Sequence, residues 1–176
     1  MLHGIVLAAG AGRRMGTPKA LVEDWLARAV RLLDAGGCDR VTVVLGARAE
    51  DAVALLPPGT AHVVAADWAS GMSASLRAGL AAADPAADAA LVTLVDLPDL
   101  VPEVVRRVAA HAAPDALARA AYDGVPGHPV LLGRDHWPGV LAETGGDRGA
   151  KGYLASHDVT PVECGDLATG VDVDSR

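Results

Sequence analysis

Phenylalanine is absent from this 176-residue sequence, and only three tryptophans and two tyrosines stand in for it. Yet 51% of the residues are hydrophobic, so alanine, valine and leucine have to fill whatever core forms. Small side chains suit close helix packing on buried Val/Leu strands, as in a helix-covered parallel sheet. Cysteine is nearly absent too. Cys38 and Cys164 show no Cys-x-x-Cys spacing and no histidine-rich stretch, which leaves two buried thiols in a reduced protein as the expectation rather than a disulfide or zinc pair. No apolar run reaches the roughly 20 residues of a membrane span, and the chain opens on a strand-like run rather than a signal peptide, so the cytoplasm is the expected location. Basic residues are outnumbered, 15 against 22 acidic ones, for a formal charge of −7. That excludes general nucleic-acid binding, which depends on a basic surface. An anionic ligand must therefore be met by a local cluster of cations.

What is present is an alternation of short β-type runs with longer helical ones, with no internal repeat and no long linker, so residues 1–176 read as one domain. The strand-like runs are Gly4–Ala9, Arg40–Leu45, His62–Ala65 and Ala90–Val95. Helical spacing covers Glu23–Ala35 (stopped by Gly36-Gly37), Ala49–Leu56 before the Pro57-Pro58-Gly59 turn, Ser73–Ala83 and Pro102–His111. Beyond these the pattern predicts strands at Ala116–Ala121 and Pro129–Leu132, a helix over Arg148–Ser156, and short β segments at Thr160–Glu163 and Val171–Asp174. Repeated β-loop-α units imply an α/β fold with a mostly parallel sheet and right-handed crossovers. Ligands in such sheets bind beyond the carboxyl ends of the strands.

Two landmarks fall at that edge. The first is the loop Leu7-Ala8-Ala9-Gly10-Ala11-Gly12-Arg13-Arg14-Met15-Gly16-Thr17-Pro18-Lys19. Its glycines are spaced GxGxxxG, one residue too long for the dinucleotide fingerprint, and Leu45-Gly46 ends the second strand where that fingerprint needs an acid. A GxxxxGK[ST] phosphate loop is excluded as well, because Thr17-Pro18 separates Gly16 from Lys19. Glycines allow close backbone approach, and successive N–H groups form an anion-binding concavity. With Arg13, Arg14 and Lys19 inside seven residues, the loop reads as a polyphosphate site, the alternative being a solvated turn with surface cations. The second landmark is Asp96, which ends an apolar strand and is fixed by Pro98. A carboxylate facing a polyphosphate loop needs a cation between them, and Mg2+, which takes one or two carboxylates plus phosphate oxygens and waters, is the natural one. A structural cap is the other reading of Asp96; Asp99 reads as a turn or cap residue. Alternation puts Asp172 and Asp174 on one face near the C-terminus, where a frayed acidic tail is the competing reading.

The loop resembles the signature Leu-Ala-Ala-Gly-x-Gly-x-Arg-Met-Gly-x-Pro-Lys of the MobA-like NTP transferases, which include molybdenum cofactor cytidylyltransferases and guanylyltransferases and are related to sugar-phosphate uridylyl- and cytidylyltransferases. The resemblance implies a three-layer α/β/α fold with a mostly parallel, Rossmann-like sheet of the nucleotide-diphospho-sugar transferase type. It implies catalytic roles for Arg14 at the triphosphate and Lys19 at the α-phosphoryl group. Nucleotide contacts would come from Leu7, Ala8, Ala9, Gly10, Gly12 and Arg13. Mg2+ would be held by Asp96 with Asp172 or Asp174. Where the family continues past Asp-x-Asp into Thr-Pro-Glu-Asp, this chain has Ser175-Arg176.

Three further segments resemble the cytidylyltransferase branch. Trp68-x-x-Gly71-Met72-x-x-Ser75-Leu76-Arg77-x-Gly79 implies that Gly71, Met72 and Ser75 meet the nucleotide. Gly127-His128-Pro129 and Gly146-Asp147-x-Gly149-x-Lys151 imply His128, Asp147 and Lys151 on the acceptor side, with Lys151 replacing the usual arginine. Ala9 stands where guanylyltransferases carry glycine, favouring CTP. The hairpin that the family inserts after the lysine is missing here. The implied activity is transfer of CMP to a phosphorylated small-molecule acceptor such as molybdopterin, by a monomer or homodimer. Guanylyl transfer, a sugar or polyol phosphate acceptor, and a regulatory subunit without turnover are the alternatives. Trp68 could cap the core or meet a ligand, Trp25 and Trp137 read as packing or dimer-contact residues, and Arg106-Arg107 as a solvated helix face.

Overall fold

A computed structural model describes residues 1–143 and 145–174. Seven strands form one sheet in the order β3-β2-β1-β4-β6-β5-β7. They are β1 (Leu2–Ala8), β2 (Arg40–Leu45), β3 (Ala61–Val64), β4 (Ala89–Leu94), β5 (Leu117–Tyr122), β6 (Val125–Gly133) and β7 (Thr160–Glu163). The first four are mutually parallel where they pair; β6 runs antiparallel to β4 and β5, and β7 parallel to β5. The helices are α1 (Trp25–Ala35), α2 (Ala49–Val53), α3 (Met72–Ala82), α4 (Pro102–Ala109), α5 (Trp137–Glu143) and α6 (Lys151–Ala155). This is the α/β architecture of the nucleotide-diphospho-sugar transferase type.

Alternation along the buried strands separates two cores. Val6, Ala8, Val43, Leu91 and Leu131 face α1 and α4, while Ile5, Leu7, Val44, Val92 and Val130 face α3, α5 and α6. Without phenylalanine, close approach fills the interior. A Cβ on Gly79 would lie 2.8 Å from Ile5 Cγ2 and 3.1 Å from Val44 Cγ2, so α3 sits directly on β1 and β2. Cys38 and Cys164 are free and buried, and burial pushes the Cys38 thiol up to about 12. No described helix is long and apolar enough to cross a membrane.

Several expectations need correction. Val171–Asp174 is not a strand: Gly170 at φ +65° turns the chain, and the Val173 N–H donates to the Asp96 carbonyl just past the end of β4. The helix expected over Arg148–Ser156 is split. A 3-10 turn covers Gly146–Arg148, Gly149 adopts φ +55°, and α6 begins at Lys151. The first helix starts at Trp25 rather than Glu23, whose φ of +40° is incompatible with a helix interior. Helix α5 was not expected, since Pro138 and Gly139 obscure its period; proline is tolerated there because it lies in the first turn. The exposed guanidinium groups of Arg106 and Arg107 are not merely solvated: Arg106 donates to the Ala35 carbonyl and Arg107 grips Asp166. Ser175 and Arg176 lie outside the described residues.

Candidate nucleotide and metal site

The parallel strands β1 and β4 end side by side, with Leu7 paired to Leu94, so the loops that follow them share one rim. After β1 the chain turns at Gly12 (φ +59°) and Gly16 (φ +77°), and a side chain at Gly12 would overlap the Thr17 carbonyl. Lys19 then opens a 3-10 turn, Lys19–Leu21, in place of a hairpin. Between this loop, the end of β4 and the start of α3 lies a cleft of about 380 Å³. Leu7, Ala8, Ala9, Gly10, Gly12 and Arg13 line one side of it, and Gly71, Met72 and Ser75 another. Lys19, Asp96 and Asp147 complete the set of expected residues at its walls.

Arg14, Asp172 and Asp174 are not lining residues but adjoin it. Asp96, Asp172 and Asp174 each offer one oxygen, and these lie within 4.8 Å of one another. Asp96 is buried, the other two exposed. The Lys19 ammonium donates a short hydrogen bond to Asp96 and one of 2.9 Å to Asp174, while Arg14 reaches Asp174 at 3.3 Å. Burial alone would lower the Lys19 pKa, but its bonds to the two carboxylates outweigh burial and raise it. The same ammonium holds the Asp174 carboxyl below its ordinary value. The ammonium thus stands against two of three clustered carboxylates, hard oxygen donors of the kind that Mg2+ or Mn2+ takes.

The floor of the cleft depends on two glycines. A Cβ on Gly46 would lie 2.6 Å from the Trp68 side chain, so the indole rests on the β2 loop while its exposed part lines the cleft. Trp68 therefore both covers the core and meets the cavity. At Gly71 (φ +118°), a Cβ would fall 2.5 Å from Asp147 Oδ1, which is how the 3-10 turn at Gly146–Arg148 reaches the first turn of α3. The Gly149 N–H bonds Ser73 Oγ at 3.1 Å and fixes that approach. Lys151 and His128 are outside the cleft lining. Lys151 is exposed at the start of α6. The β4–β6 pairing ends at Val92–Val130, two residues short of His128, whose backbone carbonyl accepts from the Tyr122 hydroxyl. Ala69, Leu94 and Val95 also line the cleft without having been expected there; Ala69 carries no chemical signal, whereas Leu94 and Val95 are the two residues before Asp96.

Burial, reinforced by Arg119, pushes the His128 imidazole down to about 4. The folded value lies below the unfolded one, so the unfolded chain binds a proton first as the pH falls. Stability present above about pH 6.5 is then lost toward pH 4, by up to about 3 kcal/mol. The urea midpoint should fall between pH 7 and pH 5 by more in the wild type than in His128→Gln; equal falls would remove His128 as the cause. Burial lowers His3 in the same sense, which leaves some acid sensitivity in the variant.

Comparison with known proteins agrees with this geometry. Residues 4–161 match the family model of the MobA-like NTP transferase domain. Nicotine blue oxidoreductase of Paenarthrobacter nicotinovorans is 38% identical over 192 residues, covering 98% of this chain and 91% of its own length. The crystal structure of Rv0371c from Mycobacterium tuberculosis H37Rv superposes with a TM-score of 0.83 at 30% identity, over 99% of this chain and 93% of that one. A second structure of Rv0371c, in complex with manganese, gives a TM-score of 0.79 at 29% identity, over 98% of this chain and 93% of that one. With a matched region covering most of its length, the chain belongs to the MobA-like NTP transferase family of nucleotidyltransferases.

Proposed function

We propose that this chain, as a single domain, transfers CMP from CTP to a phosphorylated small-molecule acceptor, with molybdopterin the leading candidate, and releases pyrophosphate. The observation that carries the reading is the Lys19 ammonium, held by Asp96 and Asp174 at the wall of a glycine-lined cleft. A triphosphate laid along Gly10–Gly12 meets backbone N–H groups, with Arg13 and Arg14 at its β and γ groups. Lys19 can then swing from the carboxylates to the α-phosphoryl oxygens, where negative charge grows in the transition state. The acceptor phosphate oxygen attacks the α-phosphorus in line; the new Pα–O bond forms as the bond to the β-phosphate oxygen breaks, and pyrophosphate leaves. An ionised phosphate needs no base, so positioning and charge stabilisation suffice. Bound by Asp96, Asp172 and Asp174, Mg2+ would neutralise phosphate charge, and the manganese complex of Rv0371c supports a divalent ion of this kind. His128, Asp147 and Lys151 are assigned to the acceptor side, and the protein to the cytoplasm as a monomer or homodimer.

Ala9 in the loop favours CTP over GTP. Calorimetric titration of CTP, GTP, UTP and ATP with Mg2+ present should give selective CTP binding, and preferential GTP binding would move the assignment to guanylyl transfer. The 38% identity to nicotine blue oxidoreductase favours a second reading, in which the same cleft holds a redox nucleotide. Tight binding of a reduced nicotinamide dinucleotide, with no pyrophosphate release from any triphosphate, would establish that reading instead. Binding without either reaction would point to a regulatory subunit, a role that the intact Arg14, Lys19 and Asp96 oppose.

A further inference from the structure

After β7 the chain loses its ladder partner, yet its last described residues carry two of the three clustered carboxylates. Besides the Lys19 and Arg14 contacts to Asp174, three ties hold this tail. Arg107 makes a two-pronged ion pair with Asp166, its Nη1 and Nη2 donating at 2.6 and 3.0 Å. Asp99 Oδ2 accepts from both the Thr169 N–H and the Thr169 hydroxyl, each at 2.6 Å. The Val173 N–H donates to the Asp96 carbonyl at 3.0 Å. Between the second and third ties Gly170 packs on the Tyr122 ring so closely that a Cβ would overlap it. Asp99 lies three residues after Asp96, and Thr169 three before Asp172. One short turn, residues 96–99, therefore presents the buried carboxylate and also grips the segment that brings the exposed pair to it.

We infer that Asp99 is a positioning residue, which sets the separation of Asp172 and Asp174 from Asp96 through its two hydrogen bonds to Thr169. The inference rests on the reading of Asp96, Asp172 and Asp174 as the divalent-cation ligands. Lys19 is the main counter-charge holding these acids together, and the proposed reaction takes it away toward the α-phosphate. Three carboxylates within 4.8 Å repel one another once it leaves. The tail has no strand pairing to resist that force, and Val171 within it is 63% exposed. The Thr169 N–H and hydroxyl, both donating to one Asp99 oxygen at 2.6 Å, fix its entry beside Asp96. Asp99 Oδ1 is buried without a hydrogen-bond partner among the described residues, so only Oδ2 does this work. An asparagine can supply the same acceptor, and an alanine cannot.

The test is Mn2+ titration of the nucleotide-free chain, read by the electron paramagnetic resonance of free Mn2+, with hydrogen exchange at residues 170–174. Asp99→Ala should weaken Mn2+ binding about tenfold, the lower end of what loss of a residue supporting metal ligands costs, and speed exchange at 170–174. Asp99→Asn should restore both. Thr169→Val removes one of the two bonds and should weaken binding by less than Asp99→Ala, and the double variant Asp99→Ala/Thr169→Val should bind no worse than Asp99→Ala alone. Mn2+ affinity unchanged in Asp99→Ala, while Asp96→Asn lowers it, overturns the positioning role and leaves the metal site standing. An Asp99→Asn variant as weak as Asp99→Ala also overturns it, since charge rather than the clamp would then be responsible. Indifference of Mn2+ binding to Asp96→Asn overturns the metal site itself, and the inference with it.

Discussion

Replacing Lys19 with alanine is expected to cut pyrophosphate release by roughly 10²–10³-fold, the cost of losing one donor aimed at developing oxyanion charge, while tightening Mn2+ binding in the absence of nucleotide. The two effects have opposite signs because the ammonium has two positions. Before nucleotide binds it is the counter-ion of Asp96 and Asp174, so it competes with a divalent ion for the same oxygens. During transfer it serves the α-phosphoryl group, while Arg13 and Arg14 are placed at the β and γ groups; Arg14 is 78% exposed and its pairing with Asp174 is screened by solvent. The variant should also lose stability when metal-free, on the order of 2 kcal/mol, because a carboxylate that is only 8% exposed loses its partner. Mn2+ should restore that loss, giving a larger metal-induced rise in melting temperature than in the wild type. The measurements are pyrophosphate release, Mn2+ titration and thermal melts with and without the ion. Wild-type turnover, or weaker metal binding in the variant, would sink the assignment.

Asp96→Asn is the second large effect. It should lower turnover by about 10³-fold or more, several kcal/mol of transition-state stabilisation, and weaken Mn2+ binding, with the fold retained. The amide is nearly isosteric with the carboxylate, so the packed end of β4 is not disturbed, and the backbone carbonyl of residue 96 still accepts from Val173. The charge is what disappears. Lys19 keeps Asp174 as a partner, so the ammonium stays near the cleft, and any remaining activity reports what it achieves without a full cluster. Far-UV circular dichroism matching the wild type, together with lost turnover, is the expected pair of results. Turnover near the wild-type rate would show that the nucleotide site lies elsewhere.

The two variants separate what adjacent groups do. Removing the cation raises metal affinity, removing the anion lowers it, and both reduce transfer. A site that was only a salt-bridged loop anchor would lose stability in both cases without opposite responses to Mn2+.

Local features are legible in the amino-acid sequence. Continuous apolar runs located β1, β2 and β4, and a 3.6-residue period located α1, α3 and α4, to within two residues at every end, because a strand covered on both faces is apolar throughout while a one-sided helix must repeat its apolar residues at that interval. Loop chemistry was equally legible: glycines, Arg13, Arg14 and Lys19 lie within one turn of each other whatever the rest of the chain does. The course of the tail follows from long-range packing. Alternation at Val171–Asp174 suits a strand, but a strand needs an edge to pair with, whereas Gly170 turns the chain here and the Val173 N–H donates to the Asp96 carbonyl. The same packing rests Lys19 against Asp96 and Asp174, partners 77 and 155 residues away. Trp68 on Gly46 and Asp99 on Thr169 belong to the same class. A short polar or glycine residue carries no periodic signal of its partner; the contact exists only because the parallel sheet brings the ends of distant strands to one rim.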